Sequence, residues 1–375
     1  MKKGKVLITW YSKSIGGAEE SIAHLCNELV LIGDFKIIVL FNYSDKKDNA
    51  HFKKIIDSKV KLYSYRCPLR LYGLMSSISI FYLFWKERFQ IIDVGYRGML
   101  SKSLVGKILG CKIIATIRAI PWQSIHGPSV DLLMKKEAKL QKGYSNKNSF
   151  NFWFVDFVIA ISEAVKIGLI NNYEIKNITV IHNGIDVDTY PPSKRTESMR
   201  YRIYFMARNV KWKRVDWFVR AAKKIHDIYP QTKFGIFGYG PEDENIRKLI
   251  KEMDSQNYIR MYGFIDRYDD RLDEYGIYVI SSYMEPFGKT VLEALFMNKV
   301  VVGTNAGGIP EILPDYKLLF ERDSFEDFVL KLKNAILNYD YYYNQINEIR
   351  VRFKNYYSMK RVGQEYNKAY KLLPK

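Results

Sequence analysis

Short apolar runs rich in isoleucine and valine recur along the chain, separated by longer segments with helical periodicity. "KVLITW" (5–10) predicts a first strand, and "GAEESIAHLCNELVLIG" (17–33) an amphipathic helix. "KIIVLF" (36–41), "KVKLYSY" (59–65), "QIIDVG" (90–95), "CKIIATIR" (111–118) and "DFVIAIS" (156–162) continue the series. Near-continuous apolar runs of this length predict strands covered on both faces, as in a parallel sheet between helices. "NGIDVDTYPPSKRTESM" (183–199) breaks the rhythm with glycine, two prolines and polar residues, which predicts a domain boundary. The pattern then restarts with "YRIYFMA" (201–207), "TKFGIFG" (232–238), "IRMYGF" (259–264), "YGIYVIS" (275–281) and "KVVVGT" (299–304). "WFVRAAKKIHDIY", "NIRKLIKEMD" and "KTVLEALFMN" read as helices between them, and the last fifty residues as further helices. The expected fold is α/β: two doubly wound, Rossmann-like domains in series, facing each other across a cleft. In open parallel sheets ligands sit outside the carboxyl ends of the strands, so the loops there are where site residues are sought.

Composition narrows the class. The 375 residues are 47% hydrophobic and 26% charged, which fits a folded chain long enough for two cores. Three cysteines, Cys26, Cys67 and Cys111, have no paired metal spacing. They argue for a reducing, cytoplasmic setting and against a disulfide framework or a zinc site. The apolar run in "MKKGKVLITWYS" is too short for a signal peptide, and "LYGLMSSISIFYLFW" (71–85) is too short to span a bilayer. The net charge of +19 is spread over both halves: residues 1–190 hold 27 Lys+Arg against 16 Asp+Glu, the rest 32 against 24. A diffuse positive field suits a polyanionic partner, whether nucleic acid, anionic lipid headgroup or phosphorylated small molecule. A solvated lysine-rich surface is the plain alternative.

Several loops carry candidate chemistry. In "SIGGAE" (14–19), Gly16 and Gly17 let the backbone approach a ligand at a helix N-terminus, and they fit a simple strand–helix turn equally well. "ARNVKWKR" (207–214) puts Arg208 and Lys213 at a strand's carboxyl end. A guanidinium fork and an ammonium point charge there suit a diphosphate, and a solvated basic loop is the alternative. "FGYGPEDE" (237–244) is a glycine-rich turn after a strand, most often a structural connection. In "MYGFI" (261–265), the backbone at Gly263 and Phe264 can pair with a flat base edge. "EPFGKTVLE" (285–293) sets Glu285 before a helix and Glu293 in its second turn. The amides of Phe287, Gly288 and Lys289 form an anion cradle between them. The two acids can accept from sugar hydroxyls, or cap the helix and lie on its surface.

Taken in order, "ARNVKWKR", "FGYGPE", "YGFI", "EPFGKTVLE" and "NAGGIPEIL", with "GGAE" near the start and "HNGID" (182–186), resemble the retaining glycosyltransferases of family 4 (glycosyl transferases group 1) with the GT-B fold. The match in order and spacing covers roughly residues 183–315. The resemblance implies that Arg208 and Lys213 bind the donor diphosphate and that Glu285 contacts the donor sugar near the reacting carbon. Glu293 would hold ribose hydroxyls, and Gly16–Gly17 would lie close to the phosphate or the acceptor. It also implies an N-terminal acceptor-side domain (1–185), a nucleotide-sugar domain (186–355) and a last helix (356–375) returning to the first domain. This sequence departs from the family pattern at three places: Ala207 and Arg214 replace glycines, and Arg118 stands where the family often has a histidine. Arg214 adds a charge near the expected phosphate site. Arg118 cannot act as a base but can hold phosphate or position the acceptor, and His126 lies nearby.

The expected reaction transfers a glycosyl group from a nucleotide-diphosphate sugar to a hydroxyl with retention of configuration. Arg208, Lys213 and the helix amides neutralise the leaving group, so no metal or other cofactor is expected. Asp269–Asp270 is an acidic pair in a charged loop, away from a strand end. The acceptor is expected to be a glycan or lipid-linked sugar. Aromatic and basic residues mix in 62–89 and 142–154, which suits either an anionic membrane, on its inner face, or an ordinary buried helix. Two rivals make other forecasts. A nucleic-acid binder needs aromatics interleaved with basic residues on an exposed face, whereas these aromatics fall inside apolar runs, so no nucleic-acid partner is expected. A GT-B phosphorylase or epimerase needs a free-phosphate site or extra acid/base groups.

Overall fold

The computed structural model describes residues 3–12, 16–119, 149–175, 177–265 and 269–373. The chain falls into two compact units, Met1–Ile185 with Ser358–Lys375, and Asp186–Tyr357.

The first unit is built on strands β1 (Gly4–Ser12), β2 (Phe35–Tyr43), β3 (Lys61–Arg66), β4 (Ile91–Gly95), β5 (Lys112–Ile117), β6 (Phe157–Ala160) and β7 (Ile178–Val180). They form one parallel sheet in the order β3-β2-β1-β4-β5-β6-β7. The order reverses between β1 and β4, and there the ends of two neighbouring strands diverge into a crevice. Helices α1 (Gly17–Ile32), α2 (Lys46–Ile55), α3 (Tyr72–Glu87), α4 (Met99–Ile108) and α5 (Glu163–Asn172) make the connections. The inner strands are buried along most of their length, as their apolar runs predict. Strand β3 departs from that expectation: it lies at the sheet edge and is half-exposed, with Lys61 and Arg66 at its ends. A lysine on an open edge discourages pairing with another chain.

The last helix, α12 (Met359–Leu372), belongs to this unit and packs on α1. A Cβ at Gly363 would come within 2.6 Å of the Glu28 Cβ, so glycine is what permits the two helices to approach this closely. Val362, Tyr366 and Tyr370 enter the core made by β1, β2 and α1.

The second unit repeats the plan with β8 (Arg202–Met206), β9 (Lys233–Phe237), β10 (Ile259–Gly263), β11 (Ile277–Ile280), β12 (Val300–Thr304) and β13 (Leu319–Phe320). All pairs are parallel, in the order β10-β9-β8-β11-β12-β13. The helices are α6 (Val215–Ile228), α7 (Asp243–Glu252), α8 (Lys289–Phe296), α9 (Ile309–Ile312), α10 (Phe325–Leu337) and α11 (Tyr339–Phe353). Here the order reverses between β8 and β11, the strands that precede "ARNVKWKR" and "EPFGKTVLE".

Candidate active site

The loop after β8 is held by its neighbour after β9. Ala207 N and Asn209 N donate to the Phe237 and Tyr239 carbonyls at 3.1 Å, and Glu242 N donates back to Asn209 O at 3.1 Å. The buried Asn209 side chain donates to Asp243 Oδ1 at 2.7 Å, which also accepts from Gly240 N at 3.0 Å. A Cβ at Gly238 would sit 1.8 Å from the Ala207 carbonyl oxygen, and one at Gly240 2.2 Å from that of Asn209. The glycine-rich turn therefore exists so that two backbones can touch. It fixes the stem of the loop that carries Arg208, which is exposed.

The same loop is tied on its other side to the chain after β11. Ser281 Oγ donates to the Lys213 and Arg214 carbonyls at 3.0 and 2.9 Å, and Tyr283 N donates to Trp212 O at 2.8 Å. Lys213 Nζ reaches the Glu285 carboxylate, and Ser282 Oγ donates to the same Oε1 at 2.6 Å. The two charged side chains are only 12% and 7% exposed, so the pair is largely removed from water. The Lys213 ammonium also lies 4.2 Å from the Trp212 ring centre. Lys213 and Glu285 are thus brought together at the reversal point of the sheet, the place where this architecture binds ligands.

Glu285 is positioned from below by the turn after β12. Gly308 N donates to Glu285 O at 2.9 Å. A Cβ at Gly307, whose φ is +63°, would stand 1.9 Å from that oxygen, and one at Gly308 2.6 Å from the Phe287 Cα. Three residues after Glu285, Gly288 takes a φ of +106° and starts α8 without a side-chain cap. Val291 N donates to the Gly288 carbonyl at 2.9 Å, and the positive end of the helix dipole at this start favours an anion. The Phe287 ring turns inward and is buried, 6.1 Å from Tyr357, so this residue offers the site its backbone.

One turn into α8, Glu293 is buried and not on the surface. Its Oε1 accepts from the Tyr190 hydroxyl at 3.1 Å and lies 3.4 Å from Lys289 Nζ. Burial pushes the neighbouring Tyr278 hydroxyl well above the usual tyrosine range, and the Glu285 and Glu293 charges push it further. At the end of β10, Gly263 has a φ of +77° and its carbonyl accepts from Gly238 N at 2.7 Å. Phe264 is half-exposed, edge-on to Tyr239 at 5.9 Å.

Arg214 corrects an expectation. Its backbone is left-handed (φ +52°), the conformation that makes glycine the easier residue there. The side chain does not add charge to the loop's ligand face. It is sandwiched between Trp217 and Tyr283, at 4.4 and 4.7 Å, and donates to Arg322 O and to Asp323 Oδ1. Asp269 is likewise committed: it caps the 3-10 turn Asp270–Glu274 and is held below the usual carboxylate range by hydrogen bonds from Arg271.

In the first unit, Gly16 starts α1 in extended backbone with no side-chain cap, and Gly17 is its first residue. Arg118 follows β5 and donates from Nη1 to Asn183 Oδ1 at 2.9 Å. His126 lies outside the described residues, as do 142–148 of the second aromatic–basic segment. Sequence reasoning missed Ser282, Gly307, Gly308 and Asn209. The glycine pair in "NAGGIPEIL" was visible as a motif, but no residue pattern announced what it packs against.

Two family models cover the chain almost end to end: Glycosyltransferase Family 4 over residues 15–189, and Glycosyl transferases group 1 over residues 186–356. The chain is 24% identical over 355 residues to the GPI3 subunit of phosphatidylinositol N-acetylglucosaminyltransferase from Saccharomyces cerevisiae, covering 88% of this chain and 74% of that protein. It is 24% identical over 187 residues to the poly(ribitol-phosphate) alpha-N-acetylglucosaminyltransferase of Staphylococcus aureus, covering 49% of this chain and 37% of that protein. Among solved structures, HepE of Anabaena in complex with UDP and glucose superposes with a TM-score of 0.78 at 15% identity, over 99% of this chain and 100% of that one.

Proposed function

The chain belongs to the family 4 glycosyltransferases, with the GT-B fold, and from that premise we propose a retaining, metal-independent transfer of a hexosyl group from a UDP-sugar to a lipid-linked or glycan hydroxyl. The observation that carries this reading is the Lys213–Glu285–Ser282 constellation at the sheet's reversal point, three residues ahead of the uncapped start of α8. Lys213, Arg208 and the α8 amides hold the donor diphosphate, and their charge stabilises the leaving group as the anomeric C–O bond breaks. Glu285 accepts from the sugar hydroxyls beside the reacting carbon. Glu293, held by Tyr190 and Lys289, accepts from the ribose, while Phe264 and the Gly263 backbone face the base. The acceptor oxygen bonds to the anomeric carbon on the face the diphosphate leaves, and its proton passes to a diphosphate oxygen. Two cations and a helix start supply the positive charge that a metal would otherwise provide. Gly16–Gly17 and Arg118 serve the acceptor side.

Retention is supported by chemistry that a relative's name states: an α-glycoside product, made from the α-linked donors common among UDP-sugars, keeps its configuration. UDP as the nucleotide is supported by the ligand of HepE, and N-acetylglucosamine as the sugar by the names of both enzymes compared above. A lipid-linked acceptor places the enzyme peripherally on a membrane.

The test is release of nucleotide diphosphate from a panel of UDP- and GDP-sugars in the presence of EDTA, with and without glycan or lipid acceptors. Release from one UDP-sugar, unaffected by EDTA and lost in Glu285→Ala, is the expected result. Dependence on an added divalent ion would overturn metal independence. Failure of the protein to bind any nucleotide diphosphate in calorimetry would overturn the donor site. The configuration of the product, read by NMR coupling constants, decides retention.

A further inference from the structure

Helix α3 buries one face and exposes an apolar one. One face carries Tyr72, Ser76, Ile80, Leu83 and Glu87, all buried in the first unit. The other carries Leu74, Ile78, Phe81, Tyr82 and Trp85, which are 49% to 63% exposed. At about 100° per residue these five side chains fall within roughly a 100° arc, forming one stripe along the helix. Leu71, 49% exposed, extends it by a turn. No charged residue interrupts the sequence between Arg70 and Lys86. A surface helix of a soluble domain ordinarily turns charged and polar groups outward, so a contiguous apolar stripe of this size marks something it meets.

The charges around the stripe say what. Residues 59–90 hold six Lys or Arg and one acid. That acid, Glu87, is on the buried face, paired with Lys61 and Lys5 and accepting from Tyr63. Arg70 and Lys86 are exposed near the two ends of the stripe, and the exposed Arg88 guanidinium lies 4.6 Å over the Trp85 ring. An apolar stripe with a basic rim and an aromatic–cation pair at one end complements an apolar layer bordered by negative charge. A second copy of the chain fits worse, because a two-fold contact would set the same basic rim against itself. The helix has 16 residues, and among the described residues no helix is long and apolar enough to cross a membrane.

We propose that α3 docks this protein on an anionic bilayer, lying in the plane of the interface. Leu74, Ile78, Phe81, Tyr82 and Trp85 sit at the acyl boundary, and Arg70, Lys86 and Arg88 meet headgroup phosphates. The inference deepens the reading of a lipid-linked acceptor and rests on it for its purpose, but the surface stands on exposure and charge alone.

The experiment is co-sedimentation of the full chain with vesicles of phosphatidylcholine, and of phosphatidylcholine with about a third phosphatidylglycerol. Wild type is expected to sediment with the anionic vesicles, less so as salt is raised, and weakly with the neutral ones. Ile78→Asn with Trp85→Ser is expected to lower partitioning about tenfold or more, and Arg70→Gln with Lys86→Gln and Arg88→Gln to remove the preference for anionic lipid. Brominated acyl chains are expected to quench wild-type fluorescence more than that of Trp85→Phe. Circular dichroism of each variant, which alters exposed positions only, confirms folding. Equal sedimentation of wild type and the Ile78/Trp85 variant, or none by wild type, overturns the proposal. So does an Ile78/Trp85 variant that changes from dimer to monomer while still binding vesicles, which would assign the stripe to a second copy. UDP release from a soluble donor, measured without vesicles, is expected to be the same in all variants. Its absence from wild type beside intact vesicle binding would overturn the transferase reading and leave the docking surface standing.

Discussion

Lys213 and Glu285 share a contact that water barely reaches, and Ser282 completes it. Removing one member of such a pair leaves the other charge buried and uncompensated, which costs more than the pair itself is worth. Lys213→Ala is therefore expected to lower kcat/KM by about 10²–10³-fold, the scale of losing one preorganised charge from a reacting centre. Ser282→Ala removes one hydrogen bond from a carboxylate that keeps its lysine. It is expected to lower kcat about tenfold with donor KM nearly unchanged. Steady-state kinetics separates the two; a Ser282→Ala loss confined to KM would contradict the positioning role. Arg214→Gly makes the opposite forecast. It loses two aromatic contacts and the bonds to Arg322 O and Asp323 but relieves a left-handed backbone, so stability should move by no more than about 1 kcal/mol. UDP affinity should be unchanged in calorimetry, because the guanidinium already points to residues 322–323. The acids and cations of this site stand out in the sequence by type and spacing. Ser282 does not, because a serine after a strand has many duller uses and only the turn to Glu285 gives it this one. Where the Arg214 side chain goes was illegible too, because its hydrogen-bond acceptors, Arg322 O and Asp323, are more than a hundred residues away.

At the scale of elements, the long apolar runs identified most strands because a strand covered on both faces needs little else. Strands β7 and β13 escaped notice at three and two residues, too short for any period to show. Helix α4 escaped as well, and it carries a charge that the pattern does not betray: Lys102, fully buried, donates to Thr9 Oγ1 at 3.1 Å and to the Tyr72 hydroxyl at 3.2 Å, with the Gly95 carbonyl at 3.5 Å. Burial pushes it down to about 7, with the Asp93 charge opposing. Asp93 in β4 is pushed up to about 6, chiefly by burial, against hydrogen bonds from Thr116 and Tyr370 and the charges of Arg118 and Lys102. Between the ordinary carboxyl value of 3.8 and about 6, the folded chain holds the extra proton on Asp93, so stability falls as pH rises through that window. Between about 7 and the ordinary lysine value of 10.5, the unfolded chain holds the extra proton on Lys102, so stability rises with pH there. The first unit should therefore show a stability minimum near pH 6–7 from this pair. Lys102→Met should abolish the rising arm and leave the falling one. Urea unfolding across pH, read by hydrogen exchange of β1 and β4 amides, checks it; an unchanged alkaline arm in the variant would refute it.

At the scale of the whole molecule, the two units differ in how the chain supplies them. The second is a single continuous stretch, Asp186–Tyr357, whereas the first needs both Met1–Ile185 and Ser358–Lys375. The turn-rich composition of 183–199 marks the outgoing crossing in the sequence, since a chain leaving one core for another has no apolar face to keep. Nothing in composition marks the return: α11 and α12 are both mixed helices, and what assigns α12 is where Val362, Tyr366 and Tyr370 are buried. Its ties are spread across the unit: Tyr370 donates to Asp93 at 2.8 Å, Asn367 to Asp34 at 2.6 Å, and Arg361 to the His182 carbonyl at 2.7 Å. Every residue proposed to hold the donor, from Arg208 to Glu293, lies in the continuous unit. A fragment of residues 186–357 is accordingly expected to fold cooperatively and to bind UDP about as tightly as the full chain. It is expected to show no transfer, having none of the residues assigned to the acceptor. A fragment of residues 1–185, lacking α12, exposes the apolar side of α1 and leaves the Asp93 carboxyl without its Tyr370 donor, so it should be aggregation-prone until a 356–375 peptide is supplied. Calorimetry with UDP on the first fragment, and light scattering of the second with and without the peptide, decide both. A soluble, cooperatively folded 186–357 fragment that does not bind UDP would move the donor site away from the loops after β8 and β11.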